Sequence, residues 1–420
     1  MLIKANSLKE NIASLVSLKG LEYLLNFILL PYLVRVLGPE RFGAIAFMQS
    51  IVQYFVILVD YGFNLTAPRN IAKATDNKQI GNIFSNVMAT KICICAAVTV
   101  LFLVLTIVLN LQSKLDMILF WAVYTMVIGN IVFPIWFFQG IQQMRYITFV
   151  NILARTITVI LVFTLVRQPA DYLLAALFQA GTMVFAGMFA FVVLFRKYPF
   201  IFIAPSWKGV KVELGNGWHI FLSTIAINIY TTTDTVILGI FTNNTVVGYF
   251  SAANKIIDSI KGLLSTVTQA VYPHISKLVQ ESREKAIAFL HRFLLIYCGL
   301  NLIGSLLLVV FAWLVVKILF GPGYEQSIII LQVLGILPFI ISISNVFGIQ
   351  TMLTFGYQKE FSKILVYAAV FSLIIVAPLA YLLQGLGVAI TMVLTELFVT
   401  IAMLYYVTNK LKIDIMHSDR

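Results

Sequence analysis

About twelve apolar segments, each long enough to cross a bilayer, follow one another from residue 11 to residue 408 of this chain. Hydrophobic residues make up 60% of the sequence and charged residues only 11%, whereas a soluble domain carries about a quarter charged residues. Crossing ~30 Å of hydrocarbon takes roughly 20 helical residues, and in lipid the backbone must satisfy its own hydrogen bonds. The sequence therefore predicts an all-α polytopic membrane protein.

The predicted spans form two sets of six, separated by the longest polar connection. The first set covers 11–34, 43–66, 81–109, 116–138, 147–166 and 171–195. The second set covers 218–241, 248–274, 287–316, 326–353, 361–383 and 386–408. We therefore predict an N-terminal six-helix lobe over 1–195, a cytoplasmic interfacial linker over 196–217 and a C-terminal six-helix lobe over 218–420.

Basic residues are divided unequally between the two sides of the membrane. Of the 29 Lys and Arg residues, nineteen lie in the connections on the side of both termini and five in the opposite connections. Because cytoplasmic connections carry the excess of Lys and Arg, we predict a bacterial inner-membrane protein with both termini in the cytoplasm. The net charge of +12 then reports topology and attraction to membrane lipids, and no nucleic-acid partner is expected.

This topology predicts the labelling of single cysteines in intact cells. Cysteines introduced at Lys78, Trp207 and Ser282 are expected to resist an impermeant thiol reagent, because these positions face the cytoplasm. Cysteines at Ser113 and Asn243 are expected to react. Reaction of the first group would reverse the assigned orientation.

The two halves resemble each other at positions that follow the same order. The matches are Leu37-Gly38 and Gly43 with Leu238-Gly239 and Gly248, Pro68 with Pro273, and Gly140-Ile141-Gln142 with Gly356-Tyr357-Gln358. An even number of spans per repeat preserves orientation, so the pattern favours parallel repeats related by an axis along the membrane normal. Such an architecture predicts a central cleft with a substrate site near the midplane, opened to either side by alternating access.

Ten ionisable residues lie inside the predicted spans. They are Lys19, Glu22, Asp60, Lys91, Arg155, Asp234, Lys255, Asp258, Lys261 and Glu396. Each costs about 2.5–3.5 kcal/mol at the centre of a membrane helix, so such residues pair with each other or face a cavity. The spacing allows pairing of Lys19 with Glu22, pairing within Lys255, Asp258 and Lys261, and pairing of Asp234 with Lys255. Structural pairing and a polar cleft both remain open.

Three of these residues are cations at one predicted depth in the first lobe. Counted from the cytoplasmic entry of each span at ~1.5 Å per residue, Lys19, Lys91 and Arg155 lie roughly 12–17 Å deep. Asp60 is placed near the cytoplasmic end of its helix and outside this level. Such a group of cations predicts an anion between the helices, and a pyrophosphate would provide it.

Two further residues have open interpretations. Glu396, in the last span, is either a neutral core acid or a proton carrier. Asn228 belongs to a polar series in the seventh span, which suits sugar binding or hydrogen bonds between helices. No catalytic set, metal-ligand spacing or nucleotide site is found in the sequence, so no enzyme activity and no cofactor or metal are expected.

Several short motifs relate the chain to a known family. They are Leu37-Gly38-Pro39-Glu40-Arg41-Phe42-Gly43, Asp60-Tyr61-Gly62-Phe63, Arg69-Asn70-Ile71-Ala72, Trp136-Phe137-Phe138-Gln139-Gly140 and Tyr249-Phe250-Ser251-Ala252-Ala253-Asn254-Lys255. In order and spacing the chain resembles the polysaccharide-transport family, and more closely its O-antigen flippases. The resemblance implies translocation of an undecaprenyl-pyrophosphate-linked oligosaccharide to the outer leaflet during lipopolysaccharide synthesis. It also implies work beside glycosyltransferases and a glycan polymerase.

Three other functions compete with a flippase. A multidrug or cation antiporter of the same superfamily would favour acids and aromatic residues for organic cations, whereas the first lobe is predicted to be basic. A membrane-embedded polysaccharide polymerase or ligase would place catalytic residues on a large outer loop, and the predicted outer connections are short. A non-transporting scaffold of a biosynthetic complex would fail to move substrate in liposomes.

Overall fold

A computed structural model describes residues 8–110 and 115–411, with side chains placed for residue 25 and for 27–110, 115–218, 221 and 232–411. No strand occurs in these ranges. Eight helical stretches in these ranges, some made of two consecutive helices, are long and apolar enough to cross a membrane. The prediction of an all-α polytopic membrane protein is confirmed, and the count of twelve spans stays a prediction.

The helices follow one another with short connections. Those of the first part are α1 (Leu8–Asp60), α2 (Phe63–Lys73), α3 (Asn77–Val108), α4 (Met117–Val132), α5 (Ile135–Gly140), α6 (Met144–Leu165) and α7 (Tyr172–Lys197). Those of the second part are α8 (Trp207–Phe241), α9 (Asn244–Glu281), α10 (Arg283–Val310), α11 (Ala312–Leu319), α12 (Gln326–Leu334), α13 (Leu337–Ser344) and α14 (Gln358–Tyr405). A π-helical segment, Asn345–Leu353, follows α13.

Two of the longest helices are interrupted where the sequence predicts a turn between spans. α1 loses helical geometry at Gly38, whose φ of 69° is a left-handed conformation that glycine adopts at little cost. α14 is interrupted at Gln384, with φ 53° and ψ −131°. Each interruption falls between two predicted apolar spans, so the apolar pattern identified these breaks although the helices continue on both sides.

By packing, the chain divides into two compact units. Unit 1 contains Met1–Leu37 and Ile45–Thr232, and unit 2 contains Gly38–Ala44 and Thr233–Arg420. The segment 196–217 packs with unit 1, since the Ser85 hydroxyl donates to the Ile201 carbonyl at 3.0 Å and the Ser206 N–H donates to Asn86 Oδ1 at 3.0 Å. The lobe boundaries drawn from the sequence stay a prediction.

The aromatic motif of the first half forms the core of unit 1. Trp136, Phe137 and Phe138 lie on the short helix α5 and are fully buried. At the end of α5, a Cβ on Gly140 would lie 2.7 Å from the Cβ of Ile71 on α2. The Trp-Phe-Phe-Gln-Gly and Arg-Asn-Ile-Ala motifs therefore pack against each other, and this close packing leaves no room for a side chain at Gly140.

The matched glycines of the two halves also meet, within unit 2. A Cβ on Gly43 would overlap the carbonyl oxygen of Asn244, and a Cβ on Gly248 would overlap the carbonyl oxygen of Pro39. Small residues let helix backbones approach this closely in membranes. α9 begins at this crossing, where Asn243 Oδ1 accepts the Val246 N–H at 3.1 Å and caps the helix.

The third sequence match holds in conformation but at a shifted register. Gln142 has φ 57°, and the next N–H, of Gln143, donates to the Phe138 carbonyl at 2.8 Å. Gly356 has φ 90°, and the N–H of Tyr357 donates to the Met352 carbonyl at 2.8 Å. The same helix-ending turn therefore occurs in both halves, and it pairs Gln142, rather than Gly140, with Gly356.

Candidate functional site

The buried cation of unit 1 has a carboxylate partner. Lys91, on α3, is only 1% exposed. Its Nζ lies 3.4 Å from Asp60 Oδ1, at the end of α1. The same carboxylate oxygen accepts a hydrogen bond from Asn64 Nδ2 at 2.7 Å. The prediction that Asp60 lies apart from the basic level is therefore wrong for Lys91.

The error comes from ending the predicted span at residue 66, whereas α2 continues to Lys73. α1 and α2 belong to one apolar stretch of 47 residues with Lys73 at its end, so Asp60 lies well before the end of that stretch. Asp60 stands thirteen residues before Lys73, and Lys91 stands fourteen residues after the first residue of α3, Asn77. The two residues are therefore almost equidistant from the same turn, and this spacing was visible in the sequence.

A proline supplies the second acceptor for Lys91. Its Nζ donates to the Asn130 carbonyl oxygen at 3.1 Å. In an unbroken helix that carbonyl would accept the N–H of residue 134, but Pro134 has no N–H and separates α4 from α5. The break in the helix therefore leaves a carbonyl available to a buried ammonium, which reduces the desolvation cost of Lys91.

A polar stripe continues along α3 from this ion pair. Lys91, Cys95 and Thr99 are four residues apart and so lie on one face of the helix. The Tyr124 hydroxyl, from α4, contacts the Thr99 hydroxyl and lies 3.6 Å from the Cys95 sulfur. Cys95, Thr99 and Tyr124 are not among the residues predicted from the sequence. The i, i+4, i+8 spacing of the polar residues on α3 is the signal that identifies the stripe.

The remaining residues of the predicted basic level are only partly described. Arg155 lies on α6 and is partly buried. The side chains of Lys19 and Glu22 lie outside the described residues, as does that of Asn228. The joint depth of Lys19, Lys91 and Arg155 therefore stays a prediction.

Unit 2 gathers three acids around one cation. Lys261 Nζ, on α9, lies 3.9 Å from Asp258 Oδ1, and its charge also acts on the carboxyls of Asp234 on α8 and Glu396 on α14. Asp234 is 7% exposed, and its Oδ1 is buried without a hydrogen-bond partner among the described residues. This cluster has three carboxyl groups for one ammonium group, and Asp234 is buried whereas Asp258 is exposed.

The structure changes the expected partner of Asp234 and adds a basic neighbour for Glu396. The electrostatic neighbour of Asp234 is Lys261, not Lys255, whose side chain is exposed. Lys261 is also a basic neighbour for Glu396, although none is close to Glu396 in sequence. Both electrostatic interactions join residues of different helices, so spacing along one helix could not predict them. The expected pairing of Asp258 with Lys261 is present.

Within the described ranges, no three His, Cys, Asp or Glu side chains are placed to hold a metal ion. The charged side chains of the two units can instead bind or neutralise charged groups. Unit 1 offers a neutralised ion pair and a polar stripe, whereas the acidic cluster of unit 2 suits an exchangeable cation or proton.

Similarity to known proteins agrees with a transporter. A family model described as "Polysaccharide biosynthesis protein" matches residues 8–279. The chain is 40% identical over 407 residues to an Escherichia coli (strain K12) protein named "Putative O-antigen transporter", covering 96% of this chain and 97% of that protein. A Shigella dysenteriae protein of the same name is 30% identical over 403 residues, covering 94% and 99%. The names of these relatives agree with the expectation of a transporter and not an enzyme.

Two solved structures share the fold at low sequence identity. One is the lipid II flippase MurJ in an inward closed conformation, with a TM-score of 0.75, 12% identity and coverage of 96% of this chain and 89% of that one. The other is an inward-facing multidrug resistance transporter of the MATE family and the MOP superfamily. Its TM-score is 0.70 at 15% identity, with coverage of 93% and 95%. At this identity the likeness shows the fold alone.

Proposed function

The chain belongs to the polysaccharide biosynthesis protein family, and on that basis we propose that it is a flippase for lipid-linked oligosaccharides. Its cargo is an O-antigen or similar repeat unit, carried from the cytoplasmic to the outer leaflet of the bacterial inner membrane. The observation that carries this proposal is the identity of 40%, along 96% of the chain, with a protein named "Putative O-antigen transporter". Glycosyltransferases that build the unit and a polymerase that uses it are the proposed partners.

The proposed cargo is an oligosaccharide linked to undecaprenyl pyrophosphate. Its lipid tail, its sugars and its pyrophosphate each need a different surrounding. The polyprenyl tail stays in lipid, the sugars contact hydroxyl groups such as that of Thr99 on α3, and the pyrophosphate needs cations. We assign the pyrophosphate to the basic residues of the first-half spans, Lys19, Lys91 and Arg155. Because Asp60 offsets the charge of Lys91, the contribution of Lys91 depends on whether this pair opens.

We propose that transport proceeds by alternating access. The repeated helix-ending turns of the two halves support this mechanism, since transporters built from repeats expose their site to each side in turn. Moving a pyrophosphate outward carries negative charge toward the positive side, which an inside-negative potential favours by about 2.3 kcal/mol per charge per 100 mV. The membrane potential alone could therefore drive transport.

A multidrug or cation antiporter is the second candidate function. The acidic cluster of Asp234, Asp258 and Glu396 around Lys261 favours it, because acids in a transporter attract organic cations and protons. In that case deletion of the gene would raise sensitivity to cationic dyes and leave surface polysaccharide unchanged.

The flippase is tested by deleting the gene and analysing glycans. We expect loss of surface polysaccharide and accumulation of single lipid-linked units on the cytoplasmic leaflet, both reversed by the wild-type gene. Purified protein in liposomes should then move a fluorescent lipid-linked oligosaccharide between leaflets. Normal surface polysaccharide in the deletion strain would contradict the proposal, and inactive liposomes would favour a scaffold.

Proton coupling is predicted at Glu396. Glu396→Gln keeps the shape of the side chain but cannot release a proton. If protons enter through this group, the variant should bind substrate normally and lose the stimulation of flipping by an imposed pH gradient in liposomes. Glu284→Gln, at the exposed start of α10, is the matched control and should keep the stimulation. Equal stimulation of both variants would leave membrane potential as the driver.

A further inference from the structure

Unit 1 has a pocket of about 400 Å³ that none of the proposed transport steps uses. It is lined by the end of α2, the start of α3, the turn between α5 and α6, and the segment after α7. Ile71, Gly140, Tyr198 and Phe200 are among its lining residues. By the predicted topology all of these segments lie on the cytoplasmic side. Two of the family motifs therefore end at one cavity.

The side chain of Gln143 offers an amide to this pocket. Gln143 lines the cavity and is 8% exposed. It stands at the N-cap of α6, yet its side chain makes no capping hydrogen bond. No other hydrogen bond of this amide is found in the part of the chain that the structure describes. Although the residue is largely buried, its amide atoms are not sealed from solvent, so a ligand in the pocket can complete their hydrogen bonds.

Two cations converge beside the pocket without a counter-ion. Lys197 Nζ lies 5.0 Å and Arg145 Cζ 5.2 Å from the centroid of the Tyr146 ring, and Lys197 Nζ donates to the Tyr146 hydroxyl at 2.7 Å. Arg145 and Lys197 are both exposed. Neither cation forms an ion pair with a carboxylate of the described residues. Two like charges held at one ring favour an anion between them.

The rim carries further positive charge. Lys73 and Lys78 are exposed and stand next to the lining residues Ala72 and Asn77. The acid on this rim, Asp76, accepts the Gln79 N–H at 2.7 Å and so is already engaged in capping α3. The rim therefore has a net positive charge.

We propose that this pocket binds the phosphate-bearing headgroup of an anionic membrane lipid. Arg145 and Lys197 contact the phosphate, the N-terminus of the 22-residue helix α6 adds its positive end, and the Gln143 amide bonds the polar part of the headgroup. Basic pockets on the cytoplasmic side of membrane proteins select such headgroups over zwitterionic ones. A bound lipid would tie together the four segments that line the pocket.

The test uses the purified full-length protein in a neutral detergent. Its thermal unfolding midpoint is measured against increasing concentrations of short-chain phosphatidylglycerol, phosphatidylcholine or inorganic phosphate. We expect saturable stabilisation by phosphatidylglycerol alone. The double variant Arg145→Gln/Lys197→Gln should require about thirtyfold more phosphatidylglycerol for half the effect, since each of the two cations near a lipid surface contributes about 1 kcal/mol.

The matched control removes two exposed cations from the same predicted side. Lys208→Gln/Lys211→Gln should bind phosphatidylglycerol as the wild type does. Gln143→Leu, which keeps the packing volume, and Ala72→Trp, which fills the pocket, should both weaken binding. Equal weakening in the Lys208/Lys211 control, or equal stabilisation by phosphatidylcholine, would overturn the site. Saturable stabilisation by phosphate alone would overturn the lipid source. None of these outcomes depends on transport.

Discussion

Replacing Lys91 by Met is expected to destabilise unit 1 strongly, because the Asp60 carboxylate then loses its cation while it remains in an apolar surrounding. Breaking one partner of a buried ion pair costs about 3–5 kcal/mol. We therefore expect a large drop in membrane abundance and in the thermal unfolding midpoint of the purified protein. Lys208→Met, an exposed lysine on α8 outside both sites, is the control and should change neither quantity.

The double variant Lys91→Met/Asp60→Leu separates structure from transport. Replacing both charges by apolar residues is often neutral for stability, so we expect abundance to recover. Recovery of surface polysaccharide together with abundance would assign Lys91 a structural role and remove it from the pyrophosphate site. Abundance without polysaccharide would show that the cation acts on the cargo. A stable Lys91→Met single variant would contradict the ion pair itself.

Enlarging Gly248 is expected to prevent the correct packing of unit 2. The new Cβ would overlap the Pro39 carbonyl, and backbone atoms cannot rotate away as a side chain can. Overpacking ordinarily costs about 1–3 kcal/mol, and here Gly248→Leu must also separate two helices. We expect little folded protein in fluorescence-detected size-exclusion chromatography.

The effect on folding should depend on which glycine is replaced, because leucine is introduced in every variant. Gly299→Leu on α10 is the matched control, because a Cβ there meets no atom within 4 Å, and it should give a normal elution profile. Gly43→Leu, on the other side of the crossing, should fail as Gly248→Leu does. A monodisperse Gly248→Leu protein with normal yield would show that the two backbones are not in contact.

The crossing at Gly43 and Gly248 and the pair of Lys91 and Asp60 differ in how much of each could be predicted from the sequence. The glycine matches were visible as a repeat, but the repeat does not state that the matched glycines touch each other. The spacing of Lys91 and Asp60 from the turn was also visible, yet the predicted span 43–66 ended too early and put Asp60 near its cytoplasmic end. The structure adds a second helix, α2, that ends at Lys73, and this helix places the acid at the level of the lysine.

The sequence by itself determined the solvent, the helical class and the family. Apolar segments of membrane length fix these properties because each depends on composition and order along the chain. The tertiary structure decided the partners: Asp60 for Lys91, Lys261 as the electrostatic neighbour of Asp234 and Glu396, and Lys197 with Arg145 at the Tyr146 ring. Each of these groups joins helices far apart in sequence, and spacing along one helix carries no information about which faces of other helices it meets.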